Sequence, residues 1–230
     1  MEFLKVESLE SAADKLWQIE SAEKMQNFIS NLYKVDSIQK KGSVLNPKEL
    51  DMYSDVDMEI FLSDNTAIDI KDFLGAVAKN FSDVFGYEVI AHSRKDAIRM
   101  CLVNGQRFDL IFRYPSDKEV RHEENSATQK IDELKNQFWF MASMVLVKLG
   151  RKDNLIAAQL ALELCQLIIV IQMLARDEKK GTNIHRFGDD EAVPIFNALA
   201  GASFDISSVL FTAADMLDKE KSDILNSFWK

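Results

Sequence analysis

The spacing of apolar positions changes period along the chain, from helical to alternating and back to helical. Over residues 8–33, Leu9, Ala12, Ala13, Leu16 and Ile19 recur on one helical face, and Met25, Phe28, Ile29 and Leu32 continue the spacing. A break is expected at residues 20–22, where Ser21 can cap a second helix. Residues 37–41 predict a short strand leading into Gly42-Ser43, and residues 44–54, with Asn46-Pro47, a loop with room for one helical turn. Residues 57–62 then alternate as a strand. Val56, Met58, Ile60 and Leu62 point to one side, and Asp55, Asp57 and Glu59 to the other.

After a turn at Ser63-Asp64-Asn65, the spacing of Ile70, Phe73, Leu74, Val77 and Phe81 predicts a helix over residues 68–85 that ends near Gly86. Residues 89–92 read as a short strand. Residues 97–103 and 106–114 flank Asn104-Gly105, the dipeptide favoured in type I′ hairpin turns. In the second arm Phe108, Leu110 and Phe112 share one face, and Arg107, Asp109, Ile111 and Arg113 the other. Pro115 and the polar residues to Ala127 mark a boundary. Beyond it, residues 131–149 predict a helix stopped by Gly150, and residues 154–176 a long apolar helix. Residues 178–190 read as a polar loop, and the rest, through Phe196, Leu199, Val209, Leu217 and Phe228, as two or three more helices. The expected organisation is α+β, with a domain over residues 1–122 that carries a small mixed sheet and a helical bundle over residues 123–230.

Composition narrows the class of function. The 230 residues are 47% hydrophobic and 28% charged, a globular balance. A net charge of −9 argues against a general nucleic-acid binder and mildly favours a cationic or neutral small substrate. Cys101 and Cys165 lie far apart in apolar runs and read as buried thiols. The acidic N-terminus has no signal-peptide core. The apolar run over residues 160–174 is broken by Glu163, Gln166 and Gln172 and reads as too short and polar to span a bilayer. The expectation is a reduced, cytoplasmic protein with no membrane partner. Its apolar C-terminal helices can pack within one chain or across a homodimer.

The chemistry concentrates at residues 41–62 and at Asp109. Three carboxylates on one strand face repel each other unless a cation screens them, and Mg²⁺ takes oxygen ligands of this kind alongside substrate phosphates. Gly42 lets backbone approach a phosphate, and Ser43 offers a hydroxyl. Asp109 is a charge inside the apolar strand segment RFDLIF. Placed beside the Asp55–Asp57 strand, it completes a set suited to moving a nucleotidyl group, in which a spare carboxylate can take a proton from an acceptor hydroxyl.

Gly42-Ser43, an eleven-residue gap, Asp55-Val56-Asp57 and the later Asp109 resemble the nucleotidyltransferase superfamily. The helical half, through residues 136–177 and the segment GTNIHRFG, looks like the C-terminal domain of antibiotic nucleotidyltransferases of the lincosamide and aminoglycoside 6-adenylyltransferase types. The resemblance implies an N-terminal nucleotidyltransferase fold followed by a helical bundle; the acceptor is expected between the two halves, because clefts between domains are favoured sites. The resemblance makes Asp55 and Asp57 ligands of Mg²⁺, and Asp109 a third ligand, the general base, or both. Gly42 and Ser43 become the triphosphate cradle. Val44 stands where relatives often carry a polar or basic residue, so Lys148, Arg151 and Lys152 become candidates for phosphate contacts.

Plainer readings stand beside these. Lys148, Arg151 and Lys152 fall at a helix C-terminus, where the dipole favours cations anyway. Glu59 is either a substrate contact or a solvated edge position. Gln159, Glu163 and Gln166 form either a solvated stripe or a cleft wall in which Glu163 binds the acceptor. His185 and Arg186 read as structural, and Trp139-Phe140 as core. The function expected is antibiotic-resistance chemistry: transfer of AMP from Mg-ATP to a hydroxyl of an aminoglycoside or lincosamide, with release of pyrophosphate. The alternatives are nucleotidyl transfer to a protein partner, as in toxin–antitoxin systems, and a non-catalytic binding module.

Overall fold

The computed structural model describes residues 17–65, 67–117, 127–175 and 205–228. The expectations for residues 8–16, for the loop at 178–190 with His185 and Arg186, and for Phe196 and Leu199 lie outside them. The protein is α+β. Helix α1 (Trp17–Leu32) leads to strand β1 (Val35–Lys41), a 3-10 turn (Gly42–Leu45) and β2 (Val56–Leu62). Helix α2 (Ile70–Asn80) precedes β3 (Val84–His92), β4 (Lys95–Leu102) and β5 (Arg107–Arg113). Helices α3 (Ala127–Gly150), α4 (Asn154–Ala175), α5 (Ile206–Leu217) and α6 (Lys219–Leu225) follow. The five strands form one mixed sheet in the order β1-β2-β5-β4-β3, in which β1 and β2 are antiparallel and β2 and β5 parallel. By compactness the chain divides into two units. One comprises Met1–Ala67, Ile90–Ile98 and Gln106–Val120, and the other Ile68–Val89, Arg99–Gly105 and Arg121–Lys230.

In the first unit the alternation of β2 and β5 separates two faces. Val56, Met58, Ile60 and Leu62 are buried, as are Phe108, Leu110 and Phe112. Each such side chain contributes about 1.5–3 kcal/mol on leaving water. Trp17 meets Phe108 edge-on at 6.1 Å, and Tyr33 meets Phe112 at 6.0 Å. The break expected at residues 20–22 is absent. Ser21 and Ala22 are buried in a stripe with Gln18, Met25 and Ile29, a helical spacing that runs unbroken through α1.

In the second unit the helix expected over residues 68–85 is shorter. Asp69 caps α2 by accepting from the Asp72 N–H at 2.9 Å, and the helix stops at Asn80. Val84 to His92 is a strand instead, so Gly86 lies inside β3 rather than at a helix end. A Cβ at Gly86 would run into the Phe140 amide and lie 2.7 Å from the Trp139 carbonyl carbon, so this glycine permits a close backbone approach to α3. Phe85 packs edge-on against Trp139 at 5.3 Å and Phe228 at 5.0 Å, and Trp139 and Phe140 are core residues. The Lys221 ammonium donates to the Phe85 carbonyl at 2.9 Å and lies over the Phe85 and Trp139 rings, 5.4 and 5.5 Å from their centroids.

The hairpin turn also differs from type I′. Gly105 has φ 81° and Asn104 does not share the positive φ, while the Gly105 N–H bonds the Leu102 carbonyl at 2.9 Å. A turn closed by a left-handed glycine is the three-residue kind, which needs a positive φ only at Gly105. Helix α4 has 22 residues, and an 18-residue stretch of it has a mean hydropathy of 2.0, long and apolar enough to cross a membrane by length and composition only. Here Ala157, Ala161, Leu164, Cys165 and Ile168 join the core of the second unit, and Leu155 is 85% exposed.

Candidate active site

The three strands β1, β2 and β5 place their polar face in rows. Register sets Lys41 opposite Asp57, and Asp57 beside Asp109. The next row is Gln39, Glu59 and Ile111, and the third is Ser37, Phe61 and Arg113. Side chains in register on neighbouring strands share a face about 4.8 Å apart. Asp57 and Asp109 are therefore adjacent on one half-buried face, as the sequence required for a joint site. Asp55 lies one residue before β2, half-buried, with the parity of Asp57.

Gly42 closes the row of carboxylates. Its φ is +61°, and a Cβ there would collide with Asp57 Oδ2 and lie 3.2 Å from Asp57 Cγ. Glycine takes this backbone without strain and leaves room for that carboxylate. Ser43 follows in the 3-10 turn, half-buried, and the Asn46 N–H donates to its carbonyl at 2.9 Å. Val44 is 8% exposed and packs into the core, which accounts for an apolar residue after Gly-Ser.

The loop before Asp55 is fixed by buried polar side chains. Gln18 is fully buried, and its amide donates to the carbonyls of Asp51 at 2.8 Å and Ser54 at 3.1 Å. The Ser54 hydroxyl donates to Asp51 Oδ1 at 2.9 Å, and the Tyr53 N–H donates to the same oxygen at 3.0 Å, forming an Asx turn. Arg107, 2% exposed at the start of β5, donates from Nη2 to the Tyr53 carbonyl. The residue that begins the Asp109 strand thus grips the loop that ends at Asp55. Neither Gln18 nor Arg107 carried a signal in sequence; each reads there as an ordinary polar position.

Glu59 is not at an edge, since β2 lies between β1 and β5. It accepts from Arg113 Nε at 2.6 Å and pairs with Lys41 Nζ at 3.3 Å. The Arg113 bond, followed by Lys41, outweighs desolvation and holds the Glu59 carboxyl below its ordinary pKa of 4.5. The proximity of Lys41 to Gly42 in sequence, and the parity of Arg113 with Asp109, were the available signals for these two cations.

The remaining candidates lie in the second unit. Lys148 pairs with Asp153 at 3.6 Å, and Arg151 is exposed. Lys152 takes a left-handed backbone, φ 64°. The bonds Lys152 N–H to Leu149 carbonyl, 3.0 Å, and Asp153 N–H to Lys148 carbonyl, 2.8 Å, make it the C′ residue of a Schellman cap. The helix ends at Gly150 as expected, and the left-handed position of its cap is Lys152. Gln159 and Gln166 are exposed, and Gln159 donates to Glu163 at 3.1 Å, a solvated helix face. Cys101 and Cys165 are buried and form no disulfide, and burial pushes the Cys165 thiol up to about 11.

Hard oxygen donors on adjacent strands, beside a glycine held clear for one of them, fit a divalent cation such as Mg²⁺. Among the described residues no three His, Cys, Asp or Glu side chains are already gathered at coordinating distance. Binding a cation would bring the carboxylates of Asp55, Asp57 and Asp109 closer together.

No family model matches the chain, and the curated proteins give no match. Among solved structures the chain is similar to an aminoglycoside 6-adenyltransferase from Bacillus subtilis, with 12% identity, a TM-score of 0.32, and 93% of this chain and 90% of that one covered. It is similar also to the STING-associated CdnE c-di-GMP synthase from Capnocytophaga granulosa, with 15% identity, a TM-score of 0.31, and coverages of 95% and 81%. Both likenesses are slight, and the reading of the site rests on its own geometry.

Proposed function

We propose that the chain is a metal-dependent nucleotidyltransferase that moves AMP from Mg-ATP to a hydroxyl of a small antibiotic-like acceptor, an aminoglycoside or a lincosamide, and releases pyrophosphate. The observation that carries the proposal is the register of Asp57 with Asp109, beside a left-handed glycine that leaves room for the Asp57 carboxylate.

Asp55 and Asp57 would hold Mg²⁺, with Asp109 as a third ligand or as the base that accepts the acceptor's proton. The cation would neutralise phosphate charge and align the triphosphate. Gly42 brings the backbone of its turn against the carboxylates, and Ser43 offers its hydroxyl to the departing phosphates. The P–O bond that forms joins the acceptor oxygen to the α-phosphorus, and the bond that breaks releases pyrophosphate. The net charge of −9 favours a polycationic acceptor by long-range attraction.

Mass spectrometry of a drug incubated with Mg-ATP and the protein should show the gain of one adenylyl group. With Asp55→Asn the gain should vanish while thermal stability is kept. Adenylylation that persists in this variant would contradict the assignment.

A further inference from the structure

We propose that Lys41 and Arg113 bind the outer phosphates of the nucleoside triphosphate, with Glu59 as the residue that positions both. The inference rests on the nucleotidyltransferase reading and names the cations that the sequence left unassigned.

Both cations stand on the carboxylate face of the sheet. Lys41 is in register with Asp57 and directly precedes Gly42, and Arg113 lies four residues beyond Asp109 on the same face. Glu59 takes one cation on each oxygen, Arg113 at Oε1 and Lys41 at Oε2. Lys41 Nζ also donates to Gln39 Oε1 at 2.9 Å. The cations remain open to solvent at 47% and 42% side-chain exposure, whereas Glu59 is at 15%. Glu59 is thus an inner anchor and its partners an outer cationic pair.

Two consequences follow from that arrangement. An arginine held through Nε keeps its Nη donors for a second, bidentate partner, and phosphate oxygens match that fork. The Lys41 ammonium is held on the other oxygen of the same carboxylate, so one anchor presents both cations on the face that carries Asp57. Val44, the residue after Gly-Ser, is in the core and offers no cation there. The ligand chemistry is a polyphosphate with Mg²⁺, carried on a nucleoside or free.

The test is calorimetric binding, in Mg²⁺, of the non-reacting analogue α,β-methylene-ATP, of AMP and of inorganic tripolyphosphate. Lys41→Gln and Arg113→Gln should each weaken the analogue and tripolyphosphate about tenfold, the scale of one charge-assisted contact, and change AMP less than twofold. Arg113→Lys should recover part of the loss. If Arg113→Gln fails to fold, the exposed Lys41→Gln carries the comparison. Analogue affinity unchanged in the variants, or AMP weakened as much as the analogue, would overturn the role of these cations while leaving the nucleotidyltransferase reading standing. A wild-type protein that binds neither analogue nor tripolyphosphate would overturn both.

Discussion

Asp57 lies beside Asp109 across the parallel pair β2–β5, and the opposite face of the same two strands is fully apolar. Burial of Val56, Met58, Phe108 and Leu110 fixes the register, because a one-residue slip would turn the core residues to solvent. The carboxylate pair is thus placed by packing on the far side of the sheet.

Gly42→Ala tests the closeness of the turn to Asp57. A left-handed alanine costs about 1 kcal/mol, and its Cβ displaces the Asp57 carboxylate. Stability by urea unfolding should drop by about 1–2 kcal/mol, and Mg²⁺-dependent turnover should fall at least about a hundredfold, as expected when a group at the reacting centre is moved by an ångström. Activity near that of the wild type would show that the turn does not need to approach Asp57.

Gln18→Met keeps the volume of the side chain and removes both donors to the loop before Asp55. Two carbonyls lose their buried partner, so a cost of about 1–3 kcal/mol in urea unfolding is expected. Nucleotide binding that needs Mg²⁺ should weaken along with it. A stability loss with metal-dependent binding intact would mean that the loop does not set the position of Asp55.

Lys152→Gly should stabilise the protein. The Schellman position demands φ 64°, which costs a lysine about 1 kcal/mol more than a glycine, partly offset by the greater freedom of glycine in the unfolded chain. A gain of about 0.5–1 kcal/mol in urea unfolding is the expected result. A loss would show that the Lys152 side chain makes a stabilising contact that outweighs the strain.

The Arg113–Glu59–Lys41 cluster sets a pH dependence. Because the folded-state pKa of Glu59 is held below 4.5, the unfolded chain binds more protons in the interval between the two values. The stabilisation is complete above pH 4.5 and is lost as pH falls through the lowered value. Stability profiles from pH 6 to pH 3 should therefore be less steep below about pH 4.5 in Glu59→Gln than in the wild type. Parallel profiles would show that the ion pairs contribute nothing in solution.

Much of the carboxylate face was legible in the sequence because strand alternation is strict. Asp57 and Glu59 could only oppose Val56, Met58 and Ile60, and the parity of Asp109 with Arg113 followed equally. What alternation cannot state is which strands are neighbours, so the position of Asp109 beside Asp57 and the interior place of Glu59 needed the fold. Phe81 continued the helical spacing of α2, and the strand that follows it is seen only once β3 lies beside β4 in the sheet. Ser21 looked like a cap because a small polar residue in a core stripe has the same composition as a helix start. Gln18 and Arg107 are buried for the sake of backbone carbonyls, whose positions no side-chain pattern reveals. The left-handed Lys152 was hidden for the same reason: the nearby Gly150 was the better composition, but the hydrogen bonds of the cap fall two residues later.

The most direct test of the central claim is pyrophosphate release from Mg-ATP by the purified protein, with panels of aminoglycosides and lincosamides, and with Asp57→Asn and Asp109→Asn alongside. The expected result is release that requires one drug class and Mg²⁺ and disappears in both variants while their thermal stability is retained. Release that is unchanged in Asp57→Asn, or that proceeds fully in EDTA, would contradict the account.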